Sequence, residues 1–182
     1  MKRVALVCIL IILLLIFVFY DVLSQNKLGN TLGEYKKILT EGIPDDLKLT
    51  IYYLNPALLT RAPIRTLEQL RGYSQTKCIE VYATQLEAHE NLLKNLDDSD
   101  LQPLELNNDS EPILGYLRLV YIMELENSEM LLEVMASDLV YGESILVNGF
   151  EVENNPIFYD LICPFLSEKD KQILERSLDV AD

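Results

Sequence analysis

The chain opens on a continuous apolar run. From Val4 to Tyr20 the only polar side-chain group is the Tyr20 hydroxyl. As a helix these residues span about 25 Å, just short of a hydrocarbon core. Val22 and Leu23, beyond Asp21, extend that reach. Lys2 and Arg3 precede the run and hold the N-terminus in the cytoplasm, which puts the rest of the chain outside. Residues 1–23 are therefore expected to be a signal-anchor, a transmembrane segment. A cleaved signal peptide is the alternative, because Val22-Leu23-Ser24 allows cleavage before Gln25. The length of the run and its bulky end, Phe17, Phe19 and Tyr20, favour the anchor.

After Ser24 the pattern becomes mixed. Residues 24–46 read as a stalk with one short helix, marked by Tyr35, Ile38 and Leu39 and ended by Gly42 and Pro44. Period-two alternation then begins. Leu47, Leu49, Ile51 and Tyr53 share one strand face, and Asn55-Pro56 stops the strand. Thr66 suits the N-cap of a short helix ending before Gly72. Ile79, Val81 and Ala83 predict a second strand. Thr84 and Glu87 have capping-box spacing for a helix carrying Leu86, His89, Leu92, Leu93 and Leu96.

A hairpin follows. A two-residue turn at Asn127-Ser128 pairs Leu125 with Met130, Met123 with Leu132, Tyr121 with Val134 and Leu119 with Ala136, all on one face. The other face carries Val120, Ile122, Leu131 and Met135 among charges. It is too apolar to be bare, so a helix or a partner should cover part of it. Asn148-Gly149 is a type I′ turn signal between Ile145–Val147 and Phe150–Val152. Asn155-Pro156 opens a helix lined by Phe158, Leu161, Ile162 and Phe165, and Ser167 with Asp170 caps a last one. The predicted fold is α+β. One domain over 47–182 has a mostly antiparallel sheet of five or six strands, with helices packed on one face.

Charge narrows the partners. The 182 residues carry 15 Lys and Arg against 29 Asp and Glu, a net −14. Removing the apolar segment takes Lys2 and Arg3 with it, so the body is more acidic still. Nucleic acid and anionic lipid surfaces are poor partners for it. His89 is the single histidine and sits on an apolar stripe, where it packs. No companions stand at zinc-ligand spacing, and no nucleophile elbow surrounds any serine. Neither a metal, a cofactor nor a catalytic residue is expected. Cys78 and Cys163 could bridge in an external domain, yet each falls off its element's apolar face, so free thiols are the expectation. Asp97-Asp98-Ser99-Asp100 suggests calcium, but Leu101 and Pro103 break each ligand register, leaving a solvated loop. Asn108-Asp109-Ser110 matches a glycosylation acceptor, relevant only in a eukaryotic host.

Arg61, Arg65 and Arg71 are the candidate binding residues. They crowd within eleven positions of an acidic chain, and guanidinium forks suit carboxylates or phosphates. The plainer alternative is pairing with acids of the same domain, such as Glu68.

The stretch Ile51-Tyr52-Tyr53-Leu54-Asn55-Pro56, with Leu59-Thr60 and Pro63 after it, resembles the opening of a family of small uncharacterised extracytoplasmic proteins of Gram-positive bacteria, membrane-anchored or secreted. The Val147-Asn148-Gly149-Phe150 turn is similar to that family's pattern. The likeness runs over roughly 47–165, and Arg61 stands where such proteins tend to carry a second proline. The resemblance implies location and an α+β domain, and it implies no functional residue.

Together these readings predict a membrane-anchored extracytoplasmic interaction domain, not an enzyme. Its partner would be another protein or a surface polymer. The alternatives are a secreted binder or inhibitor released near Ser24, and a hydrolase working through carboxylates alone.

Overall fold

The alternating segment around Ile51 becomes strand β1 (Leu47–Tyr53), and the sheet grows on both sides of it. The computed structural model describes residues 32–102, 116–127, 129–137 and 144–179. The N-terminal segment 1–23 and the Asn108 site lie outside those residues. Among the described residues, no helix is long and apolar enough to cross a membrane.

Among the described residues, six strands form one antiparallel sheet in the order β2-β1-β3-β4-β5-β6. They are β1, β2 (Lys77–Tyr82), β3 (Leu117–Leu125), β4 (Met130–Ser137), β5 (Ser144–Val147) and β6 (Phe150–Glu153). Leu49 pairs with Val81 on one side and Met123 on the other, and Ile51 pairs with Ile79 and Tyr121. Their shared face is the floor of the main core. At the β5–β6 turn Asn148 and Gly149 have φ of 50° and 80°, the left-handed pair that a type I′ turn requires. The Asn148 side-chain oxygen also accepts the Glu133 N–H at 2.7 Å, fastening the turn to β4.

Most helical segments lie over this floor. Helix α1 (32–41) adds Leu32, Tyr35 and Leu39 to the core. The segment after β2 breaks into α3 (Ala83–Leu86), a 3-10 turn (Glu87–His89) and α4 (Glu90–Leu93). It starts one residue before the expected Thr84 cap, with the Gln85 side chain accepting the Tyr82 N–H at 3.2 Å. Helix α5 (Ile157–Asp160), a 3-10 turn (Cys163–Phe165) and α6 (Glu168–Asp179) complete the layer.

Three expectations are corrected. First, the stalk helix belongs to the folded body: the buried Tyr35 hydroxyl donates to the Leu93 carbonyl at 2.8 Å. Second, helices do not keep to one face. Helix α2 (Leu67–Gly72) and the loop before it bring Leu54, Ile64 and Leu70 against Val120 and Ile122 on the opposite side. That face is too apolar to leave wet, so the chain covers part of it itself. Third, the β3–β4 register holds for Leu119–Ala136, Tyr121–Val134 and Met123–Leu132, then slips. Leu125 N–H bonds Glu129 O at 3.0 Å and Glu124 pairs with Met130, which leaves Leu131 as a bulged residue. The bulge turns Leu131 into the main core and leaves Met130 46% exposed.

Candidate functional site

The segment from Leu54 to Tyr73 carries all three candidate arginines. Asn55 ends β1 by an Asx turn, its side-chain oxygen accepting the Ala57 N–H at 2.9 Å. Two backbone bonds then pin the loop to β3: Leu54 N to Arg118 O at 2.8 Å, and Leu117 N to Ile64 O at 2.7 Å. Thr66 caps α2 as its sequence predicts, accepting the Gln69 N–H at 3.2 Å. Gln69 reaches back to the Arg65 N–H at 2.8 Å. These bonds satisfy orphan donors at the helix start and fix the loop against the helix.

A groove of about 600 Å³ opens between loop and helix. Arg61, Ala62, Pro63 and Ile64 line it from the loop, and Gln69, Gly72 and Tyr73 from α2 and the residue after it. Leu59, nearby in the chain but not among the lining residues, is 96% exposed.

The structure divides the arginines. Arg61 lines the groove and is exposed; Arg65 is exposed as well but is not one of the lining residues. Arg71 points to the sheet, its guanidinium carbon 4.7 Å from the centre of the Tyr52 ring. Burial pushes the Glu133 carboxyl up, and the Arg71 charge opposes that rise. Ion pairs among the described residues all use lysines, none Arg61, Arg65 or Arg71. The anticipated pairing with Glu68 is therefore not made.

A second cleft, of about 420 Å³, lies where β1 begins and β3 ends. Asp45, Asp46, Glu124 and Glu126 surround it, with Lys48 and the half-exposed Tyr82. Lys48 Nζ is 3.1 Å from Glu124 Oε1 and 3.8 Å from Glu80 Oε1. The hydrogen bond that Lys48 donates to Glu124 leads in holding the Lys48 ammonium above its usual range. Sequence reading missed this cleft because its acids come from two distant segments that no spacing rule connects.

The remaining candidates have structural partners. His89 stands edge-on to Phe165, ring centres 5.2 Å apart. Among the described residues neither Cys78 nor Cys163 is in a disulfide. Cys78 is exposed and pairs with Tyr52 on the α2 side of the sheet, whereas Cys163 packs against the main core. The acidic run forms a 3-10 turn (Asp98–Asp100) in which Asp97 N–H donates to Asp100 Oδ2 at 2.8 Å. Lys36 Nζ lies 2.6 Å from Asp97 Oδ1 and 3.0 Å from Asp98 Oδ2, and that hydrogen bond leads in lowering the Asp97 carboxyl. Asn155 donates to Asp100 Oδ1 at 3.1 Å. These carboxylates already serve as caps and pair partners. Among the described residues, no group of three or more His, Cys, Asp or Glu is placed to hold a metal ion.

Compared with protein-family models, curated proteins and solved structures, the chain matches none.

Proposed function

We propose that this chain is a single-pass, membrane-anchored interaction protein. In this reading residues 1–23 anchor it, the N-terminus is cytoplasmic, and the folded body binds a protein partner outside. One observation carries the binding reading: Arg61 stands exposed at a mostly apolar groove on an acidic chain, Arg65 is exposed four residues on, and neither forms an ion pair among the described residues. Exposed apolar surface rimmed by unpaired charge is the composition of an interaction site. The outer hairpin face, the first candidate for contact, is partly occupied by the chain's own α2 module.

Fractionation with intact-mass measurement, followed by photo-crosslinking from position 59, tests this reading. Full-length protein in the membrane fraction, crosslinked to another protein, is the expected result. A species beginning at Gln25 in the medium replaces the anchor with the secreted alternative. Absence of any crosslink, from position 59 or from positions spread over the rest of the folded body, ends the binding reading.

The acidic cleft favours a second reading, a hydrolase using carboxylates alone. Such a mechanism needs one carboxyl held protonated beside an ionised one. Lys48 instead ties Glu124 into an ion pair at 3.1 Å, an arrangement that favours the charged form of both groups. Turnover of a glycoside substrate panel, abolished by Asp46→Asn, would establish this reading over the first.

A further inference from the structure

We propose that the Arg61–Tyr73 groove receives an acidic peptide segment of a partner protein, with an apolar side chain in the groove and a carboxylate at Arg61 and Arg65. The proposal deepens the interaction reading and rests on it. Three features of the groove select this occupant.

Shape is the first. The roughly 600 Å³ between loop and helix is an open, shallow depression, which suits an extended peptide laid along it.

Lining is the second. Ala62, Pro63, Ile64 and Tyr73 offer mostly apolar contact, which a polymer of phosphates does not use. An apolar side chain entering there loses water on both sides at once. The loop is held in shape beforehand by the Leu117–Ile64 backbone bond and the Gln69–Arg65 bond, so little ordering is left for binding.

Charge is the third. The chain carries −14 overall, so an acidic partner is repelled by most of its surface. Arg61 and Arg65 make this module the exception, and neither is neutralised by an acid of its own domain among the described residues. Repulsion elsewhere and attraction here fix where such a partner docks, which is the specificity role of complementary charge. Arg71 is not part of the site, because Tyr52 holds it against the sheet.

The test uses the full chain in phosphatidylcholine nanodiscs. Fluorescence anisotropy follows three labelled short peptides: alternating Glu and Leu, alternating Glu and Ser, and alternating Lys and Leu. The Glu–Leu peptide should bind about tenfold tighter than either of the others. Arg61→Glu with Arg65→Glu should remove that preference while the thermal midpoint stays unchanged, and Arg61→Gln with Arg65→Gln should weaken it in the same direction. Both arginines are exposed, so these variants keep the fold. Equal binding of Glu–Leu and Glu–Ser overturns the proposal in favour of a polyanion surface. Binding only to phosphatidylglycerol nanodiscs overturns it in favour of lipid. Unchanged binding by both variants, or none by the wild type, also overturns it. A partner crosslinked from another surface would leave the interaction reading standing while this groove fails.

Discussion

Lys77 on β2 reaches Asp170 in the first turn of α6, 93 positions later, with Nζ 2.6 Å from both carboxylate oxygens. Asp170 is 3% exposed, and the Ser167 hydroxyl donates to the same carboxylate. Burial pushes the Asp170 carboxyl up, but Lys77 and Ser167 together hold it below its ordinary value. A lowered folded value means stability that is present above the unfolded carboxylate range, near about 4, and lost as pH falls through the folded value. In chemical denaturation the gap between wild type and Asp170→Asn should be widest near neutral pH and close in acid. Lys77→Met should cost about 1–2 kcal/mol, below the figure for a fully buried pair, because half the lysine side chain is exposed. A gap that widens on acidification would contradict this assignment.

Helix α1 makes a second prediction. Leu39 is buried beside Leu32 and Tyr35, so Leu39→Ala should lower stability by about 2–4 kcal/mol. Tyr35→Phe removes the donor to Leu93 O and should cost about 1 kcal/mol. A flexible stalk would tolerate both changes, and urea midpoints decide between the two pictures.

The β4 bulge inverts an expectation at two neighbouring positions. Leu131→Ala should be destabilising by about 2–4 kcal/mol, since the side chain lies in the main core. Met130→Lys should change stability by less than about 0.5 kcal/mol, because Met130 faces solvent. An unbulged hairpin gives the opposite ranking, so two denaturation curves test the register.

That pair of residues also marks how far the sequence could be read. Alternation around Ile51, Tyr121 and Val134 specified strand faces and register, because a one-residue slip would invert a whole apolar set. The Asn148-Gly149 turn and the Thr66 and Ser167 caps were legible because local hydrogen bonds decide them. The bulge was not, since it depends on how the Glu126–Glu129 turn closes. Nor was the destination of α1, whose three apolar positions look alike on a solvated helix and on a docked one. The arginines were found as a cluster by composition. Their separation needed the third dimension, because Tyr52 lies on a different element from Arg71.

The thiols make a fourth prediction. Cys78 is exposed on the edge strand and Cys163 packs on the far side of the sheet. Alkylation under native conditions, followed by peptide mapping, should label Cys78 well before Cys163. No disulfide-linked peptide joining the two should appear without reductant. Such a peptide would require the sheet to be breached and would contradict the fold.

The stacking of Arg71 on Tyr52 separates structural from binding charge, and a three-variant comparison reads the difference. Arg71→Ala removes a cation–π contact at 4.7 Å and the charge that opposes the upward push on Glu133. Its cost should be about 0.5–1 kcal/mol, the range for partly exposed cation–π pairs. Arg61→Ala and Arg65→Ala break no ion pair among the described residues, and each should stay within about 0.5 kcal/mol of wild type. Because Glu133 is half-buried and its carboxyl sits above the usual range, loss of Arg71 should raise that carboxyl further. A folded value raised above the unfolded one costs stability where the unfolded group is ionised, so the Arg71→Ala deficit should be larger at neutral pH than in acid. Urea denaturation at both pH values measures it. If Arg61→Ala matched Arg71→Ala in cost and pH dependence, Arg61 would be a structural residue and the groove would lose its free cation.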